Sequence, residues 1–283
     1  MLENQWAKSK FVCVGLDSEL AKIPEFIRNY ASPGRSVLEF NTGIVTATAA
    51  IAGMYKPNIA SYEALGDEGL KALQGTISLI KERYPEIPII LDAKRADIGN
   101  TNIGYVQAAF DWLGADAITV HPYLGQEALQ PFLDRREKGI IVLCRTSNKG
   151  AGEFQDLDIP RGIEGLNSHR LYEVVAENVA QKWNVNGNCA LVVGATYPDE
   201  LKTVRSIVGN MPILIPGIGA QGGDLEKTVQ AGKDSRGRGM IINSSRGIIF
   251  ASDKEDYDVA AQRETLKLHK AISACLEKGV VAV

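Results

Sequence analysis

Apolar residues gather in eight short runs, at 11–17, 54–59, 89–94, 117–121, 139–146, 189–196, 212–219 and 239–246. Runs this short, rich in Val and Ile and set between polar segments, predict buried strands. Helix-like segments lie between them at 67–83, 103–113, 126–137, 171–183 and 198–208, and 258–276 closes the chain. Strands alternating with helices predict an α/β fold whose strands pair in parallel through right-handed crossovers. Eight such units fit a single (β/α)8 TIM barrel better than an open, doubly wound sheet. No Pro-, Ser- or Gly-rich linker and no solenoid repeat divides residues 1–283, so one domain is expected. The connection after the fifth run, 149–168, is polar, rich in Gly and Asp, and lacks a helical period. Connections of that length act as lids or binding loops, or are disordered insertions.

Composition narrows the partners. With 45% hydrophobic and 23% charged residues, the 283-residue chain can fill a core and cover it with an ordinary surface. A net charge of −3 leaves no broad basic field, so neither nucleic acid nor an anionic membrane is an expected partner. No run is long enough to span a bilayer, and Met1-Leu2-Glu3-Asn4-Gln5-Trp6 lacks a secretory pattern, so a cytoplasmic location is expected. Cys13, Cys144 and Cys189 sit in strand-like runs and Cys275 in an apolar stretch, the pattern of buried, reduced thiols. The three histidines are too dispersed for a metal cluster, so no metal is expected.

The polar residues are not scattered evenly. Asp17, Lys56, Lys94, His121, Thr146 and Arg246 all stand at or near the carboxyl ends of their runs, the face on which such barrels build active sites. The densest group lies in 89–101, where Ile89-Ile90-Leu91 leads directly into Asp92, Lys94 and Asp97. The two-residue repeat of a strand points Asp92 and Lys94 the same way, and Asp97 falls before a helix that Asn100 or Thr101 would cap. Taken alone, D-x-K-x-x-D is equally consistent with an ion pair closing a strand. Lys56, inside a short strand, needs a carboxylate to stay charged, and Asp92 is the natural one. Asp17 is either a ligand contact or the cap of the next helix.

Further along, Ser147 and Asn148 either bond the edge of a planar ligand or only begin a turn. Gly217, Gly219, Gly222 and Gly223 before a helix, with Ser244, Ser245 and Arg246 on the next strand, suit a phosphate site. The charged stretch 232–238 lies before strand eight, on the opposite face, and reads as a solvated loop.

Together, Asp92-x-Lys94-x-x-Asp97-Ile98-x-x-Thr101, Lys56 and 216–223 resemble the orotidine 5′-phosphate decarboxylase family, in its longer bacterial branch. The resemblance implies conversion of orotidine 5′-monophosphate to uridine 5′-monophosphate and carbon dioxide, without cofactor or metal, in a homodimer with shared sites. It makes Lys94 the proton donor to C6, sets Asp92 beside the departing carboxylate, and has Lys56 hold Asp92 and reach the ribose. It sends Asp97, Ile98 and Thr101 into the partner subunit's site. It assigns Asp17 to the ribose, Ser147 to the pyrimidine, and Gln221 with Arg246 to the phosphate. The wording around Ser147 differs from shorter members, which leaves Thr146 and Asn148 as alternatives there. Two rivals stand beside this reading. One is a Mg2+-dependent sugar-phosphate lyase or decarboxylase of the hexulose-phosphate synthase type, whose strand-two acid is replaced here by Lys56. The other is a catalytically silent nucleotide-phosphate-binding barrel.

Overall fold

The computed structural model describes residues 1–29, 32–161, 167–218 and 223–278. All eight expected strands form: β1 Val12–Leu16, β2 Met54–Pro57, β3 Ile90–Arg95 and β4 Ala117–Val120, then β5 Gly139–Arg145, β6 Cys189–Val193, β7 Ile213–Pro216 and β8 Met240–Ser244. They hydrogen-bond in the order β2-β1-β8-β7-β6-β5-β4-β3. The strands at the two ends of that order are bridged in parallel at Tyr55↔Ile89 and Asn58↔Asp92. Helices separate the strands along the chain, and this is the topology of the expected (β/α)8 barrel.

By internal contacts the chain falls into two compact units. One comprises Met1–Ala93, Tyr105–Ile118 and Ile242–Val283, the other Lys94–Gly104 and Thr119–Ile241.

In the first unit β1 is buried at every position. It pairs with β8 through Val12↔Ile242, Cys13↔Asn243 and Val14↔Ser244, and with β2 through Cys13↔Met54 to Leu16↔Pro57. Against these strands lies a helix that the apolar pattern does not announce, Pro33–Thr48. Ser32 caps it by accepting from the Arg35 N–H at 3.3 Å, and proline fits its first turn. Its buried face carries Ser36, Asn41 and Thr48 among Val37, Phe40, Ile44 and Val45, which dilutes the hydrophobic repeat. Phe40 stacks on Phe250 and Tyr257, with ring centroids 5.7 and 5.3 Å apart.

In the second unit β5, β6 and β7 pair in parallel, with an irregularity between Leu143 and Arg145. Within the 149–168 segment, the described residues are more ordered than the composition suggests. The segment opens with the turns Lys149–Ala151 and Gly152–Gln155 and continues as an antiparallel ribbon of Asp158–Arg161 with Asn167–Arg170. Ribbon strands this short and polar leave no periodic trace. The 232–238 loop exposes Ser235 and Arg236, as expected of a solvated stretch, but draws Asp234 inward. Asp234, only 5% exposed, accepts from the Arg236 and Arg238 N–H groups, both at 2.8 Å, and from the Arg236 guanidinium. Beside it Arg205 donates to the carbonyls of Gly209, Met211, Gly232 and Gly239. These charges bind the loop to its own backbone. The four cysteines are buried and outside any disulfide, as expected, and no described helix is long and apolar enough to cross a membrane.

Candidate active site

Strand register positions the charged residues of the first unit. Gly15 pairs with Lys56 and Asn58 with Asp92, so the carboxyl ends of β1, β2 and β3 lie side by side. Lys56, 3% exposed, donates from Nζ to Asp92 Oδ2 at 2.7 Å and stands 3.8 Å from Asp17 Oδ1. Burial works against its ammonium, but attraction to Asp92 and Asp17 prevails and holds its pKa above the ordinary lysine value. The sequence-based pairing of Lys56 with Asp92 is therefore present. Asp17 is no helix cap: the next turn, Leu20–Lys22, follows Glu19.

The backbone on both sides of Asp17 is fixed by a buried polar network that the sequence did not signal. The Ser18 hydroxyl donates to Asn41 Oδ1 at 2.6 Å, and the Asn41 amide donates to the Tyr62 and Thr76 hydroxyls, each at 3.0 Å. Tyr62 in turn donates to the Leu16 carbonyl at 3.0 Å. A buried network this well satisfied makes one arrangement much better than its neighbours. Its members are spread from position 16 to position 76, so no local motif marks them.

Arg246 follows β8 and opens the short helix Arg246–Ile249, with its side chain exposed. Ser245 before it packs on β1, where a Cβ at Gly15 would lie 2.6 Å from the Ser245 Cβ. Glycine at 15 thus allows the approach that sets Arg246 at the strand ends.

In the second unit Lys94 departs from the expected alternation. Its φ of 48° is left-handed, so the strand repeat stops there, and Lys94 is exposed where Asp92 is buried. The Lys94 N–H donates to the buried Thr119 hydroxyl at 2.9 Å, a polar residue inside the apolar fourth run. A left-handed lysine costs about 1–2 kcal/mol, and such residues persist where the surroundings determine them. Asp97 accepts the Ile98 N–H at 2.6 Å, and its own N–H donates to buried Asn102 at 2.9 Å. The helix Gly99–Val106 begins ahead of Asn100 and Thr101, so neither caps it, contrary to expectation. Ile98 is 61% exposed, and Thr101 is exposed.

Ser147 follows β5 and lies against Gly194 after β6, where a Cβ would meet the serine Cα at 2.8 Å. Of its two alternatives, Thr146 donates to Asn148 at 2.6 Å. Among the described residues nothing takes the Ser147 hydroxyl. Asp224 caps the helix Leu225–Gly232 by accepting from the Lys227 N–H at 3.1 Å. Gln221, with 219–222, lies outside the described residues.

An ammonium clamped by carboxylates is a permanent positive charge in a desolvated place. It can stabilise an anion without being consumed as a base. Among the described residues no three His, Cys, Asp or Glu side chains gather into a metal-binding group.

Comparison with known proteins bears on this arrangement. The orotidine 5′-phosphate decarboxylase of Janthinobacterium sp. (strain Marseille) is 48% identical over 273 residues, 96% of either chain. The solved Leishmania donovani OMP decarboxylase superposes with a TM-score of 0.81 at 38% identity, covering 97% of both chains. Leishmania donovani UMP synthase gives 0.83 at 40% identity, the match spanning 97% of this chain and 56% of that longer one. The sequence model of the orotidine 5′-phosphate decarboxylase / HUMPS family matches residues 10–258. On the family match and on near-half identity along almost the whole length, the chain belongs to the orotidine 5′-phosphate decarboxylase / HUMPS family.

Proposed function

We propose that this chain is a carboxy-lyase that converts orotidine 5′-monophosphate to uridine 5′-monophosphate and carbon dioxide in pyrimidine biosynthesis. The observation that carries the choice within the family is the 2.7 Å Lys56–Asp92 pair. In the Mg2+-dependent branch the strand-two residue is an acid and the acids hold the metal. Here an ammonium already sits on Asp92 and would repel a second cation. A mere phosphate binder has no use for this charge array.

In the proposed reaction the bond from C6 to the carboxylate breaks and its electron pair stays on C6, in an orbital not conjugated with the ring carbonyls. The Lys94 ammonium stabilises that pair and transfers a proton to it, forming the C6–H bond, and regains its proton from solvent. Asp92 stands beside the departing carboxylate, and Lys56 holds Asp92 and bonds the ribose. Asp17 takes a ribose hydroxyl, Ser147 the pyrimidine, and Gln221 with Arg246 the phosphate. Preorganised charge of this kind does in a protein what a cofactor sink does elsewhere, so the reaction runs without cofactor or metal. Binding energy from the distant phosphate helps to organise the reacting end.

The enzyme works as one barrel domain in the cytoplasm, with 149–168 closing over the base. A second copy of the chain completes each site with Asp97, Ile98 and Thr101. The exposure of Ile98 at 61% and of Tyr123 at 86% supports a covering partner. The test is the fall in ultraviolet absorbance on mixing with orotidine 5′-monophosphate, with and without a chelator. A steady fall that the chelator does not touch is expected. No fall, or a fall that the chelator abolishes, overturns the reading.

A further inference from the structure

We propose that Arg145 is a positioning residue that docks the start of the 149–168 segment onto the end of β5 and thereby sets Ser147. The inference rests on the reading of Ser147 as the pyrimidine contact.

Arg145 is the last residue of β5 and is 2% exposed. Its guanidinium lies over the Tyr197 ring, 3.8 Å from the centroid, and Nη2 pairs with Asp156 Oδ2 at 2.9 Å. A planar cation held face-on by an aromatic ring and edge-on by a carboxylate has little freedom left. Nη1 donates to the Thr146 carbonyl at 3.2 Å. Gln155, beside Asp156, accepts the Thr146 N–H at 2.8 Å and donates to the Thr146 hydroxyl at 2.9 Å. Residues 145 and 146 are thus fastened to 155 and 156 at the foot of the segment. The Arg145 carbonyl accepts the Gly194 N–H at 2.8 Å, and Gly194 is the residue with no room for a Cβ beneath Ser147.

Ser147 therefore follows a strand end fastened at 145 and 146 and lies against Gly194, and neither support owes its place to Ser147 itself. Arg145 Nε and Asp156 Oδ1 are buried without a hydrogen-bond partner among the described residues. The two side chains meet through Nη2 and Oδ2, and the pair keeps hydrogen-bonding capacity at Nε and Oδ1.

A double-variant cycle tests this. Ser147→Ala is expected to raise KM for orotidine 5′-monophosphate. Arg145→Met is expected to lower kcat/KM by about 30-fold, chiefly through KM, with faster amide hydrogen exchange confined to 146–157. In the Ser147→Ala background the same change should cost less than about 3-fold, because the residue acts through the serine. Asp156→Asn and Tyr197→Leu leave Arg145 in place and run through the same cycle should Arg145→Met not fold. Arg145→Lys, which keeps the charge but not the stacked plane, is expected to recover only part of the loss. Equal losses in both backgrounds overturn the proposal while leaving the Ser147 reading intact. A silent Ser147→Ala overturns both.

Discussion

Replacing Lys56 with methionine keeps most of the side-chain volume and removes the charge. At an effective dielectric of about 20, the attractions at 2.7 Å and 3.8 Å amount to about 6 and 4 kcal/mol before desolvation is subtracted. Burial of the ammonium offsets much of that. What remains is set by the two carboxylates, now facing each other with no cation between them, and breaking a buried pair in this way costs about 3–5 kcal/mol. Repulsion and burial raise the folded-state pKa of a carboxyl in the variant above its unfolded value. A raised pKa contributes stability below the unfolded value and loses it as pH rises through the folded one. The defect should therefore be full at about pH 7.5 and shrink toward about pH 4.5. In the unsubstituted protein Lys56 itself has a raised pKa, so its contribution is present below 10.5 and fades only above that. Urea unfolding followed by circular dichroism reads the effect. With a slope of about 3 kcal/mol per molar, the midpoint should fall by about 1 M or more at neutral pH. A fall below about 0.3 M, or an equal fall at both pH values, would refute the electrostatic argument.

Three further outcomes follow from the site and its support. Arg246→Ala should raise KM by about 10- to 100-fold through lost phosphate contact, and the loss should vanish with a substrate lacking the phosphate; an equal loss there removes Arg246 from the phosphate grip. Lys94→Ala and Asp97→Ala homodimers should each be inactive, yet mixed subunits should recover activity if sites are shared; confirmed heterodimers without turnover count against sharing. Arg205→Met leaves the carbonyls of Gly209, Met211 and Gly232 without their guanidinium donor, Gly239 keeping the Ile213 N–H, and should cost about 3 kcal/mol in denaturant unfolding with little change in KM.

Much of this molecule is legible in its sequence because buried parallel strands are written as unbroken apolar runs. All eight runs became strands, and the ends that carry Asp17, Lys56, Asp92 and Arg246 came with them. Legibility ends where polar groups stand in for apolar ones. Helix Pro33–Thr48 went unread because Asn41 and Thr48 face inward, Asn41 satisfied by Tyr62 and Thr76 far along the chain and Thr48 by the Ile44 carbonyl of its own helix. The expectation for Lys94 rested on a two-residue repeat that presumes strand dihedrals, and Lys94 has left them. The loop at 232–238 is solvated at Ser235 and Arg236, but the inward place of Asp234 is invisible to a count of charge without its donors. Arg145 was plainly visible as a residue, but its role lies in Tyr197, 52 positions away, and nothing local connects the two.

The left-handed backbone at Lys94 has one more consequence. Selection for folding alone would place glycine there, which adopts that conformation freely. Lys94→Gly should thus melt higher than Lys94→Ala, by about 1 kcal/mol, although both lose the ammonium. The gap between the two variants, read from thermal unfolding, measures the backbone strain that the native lysine carries at this position.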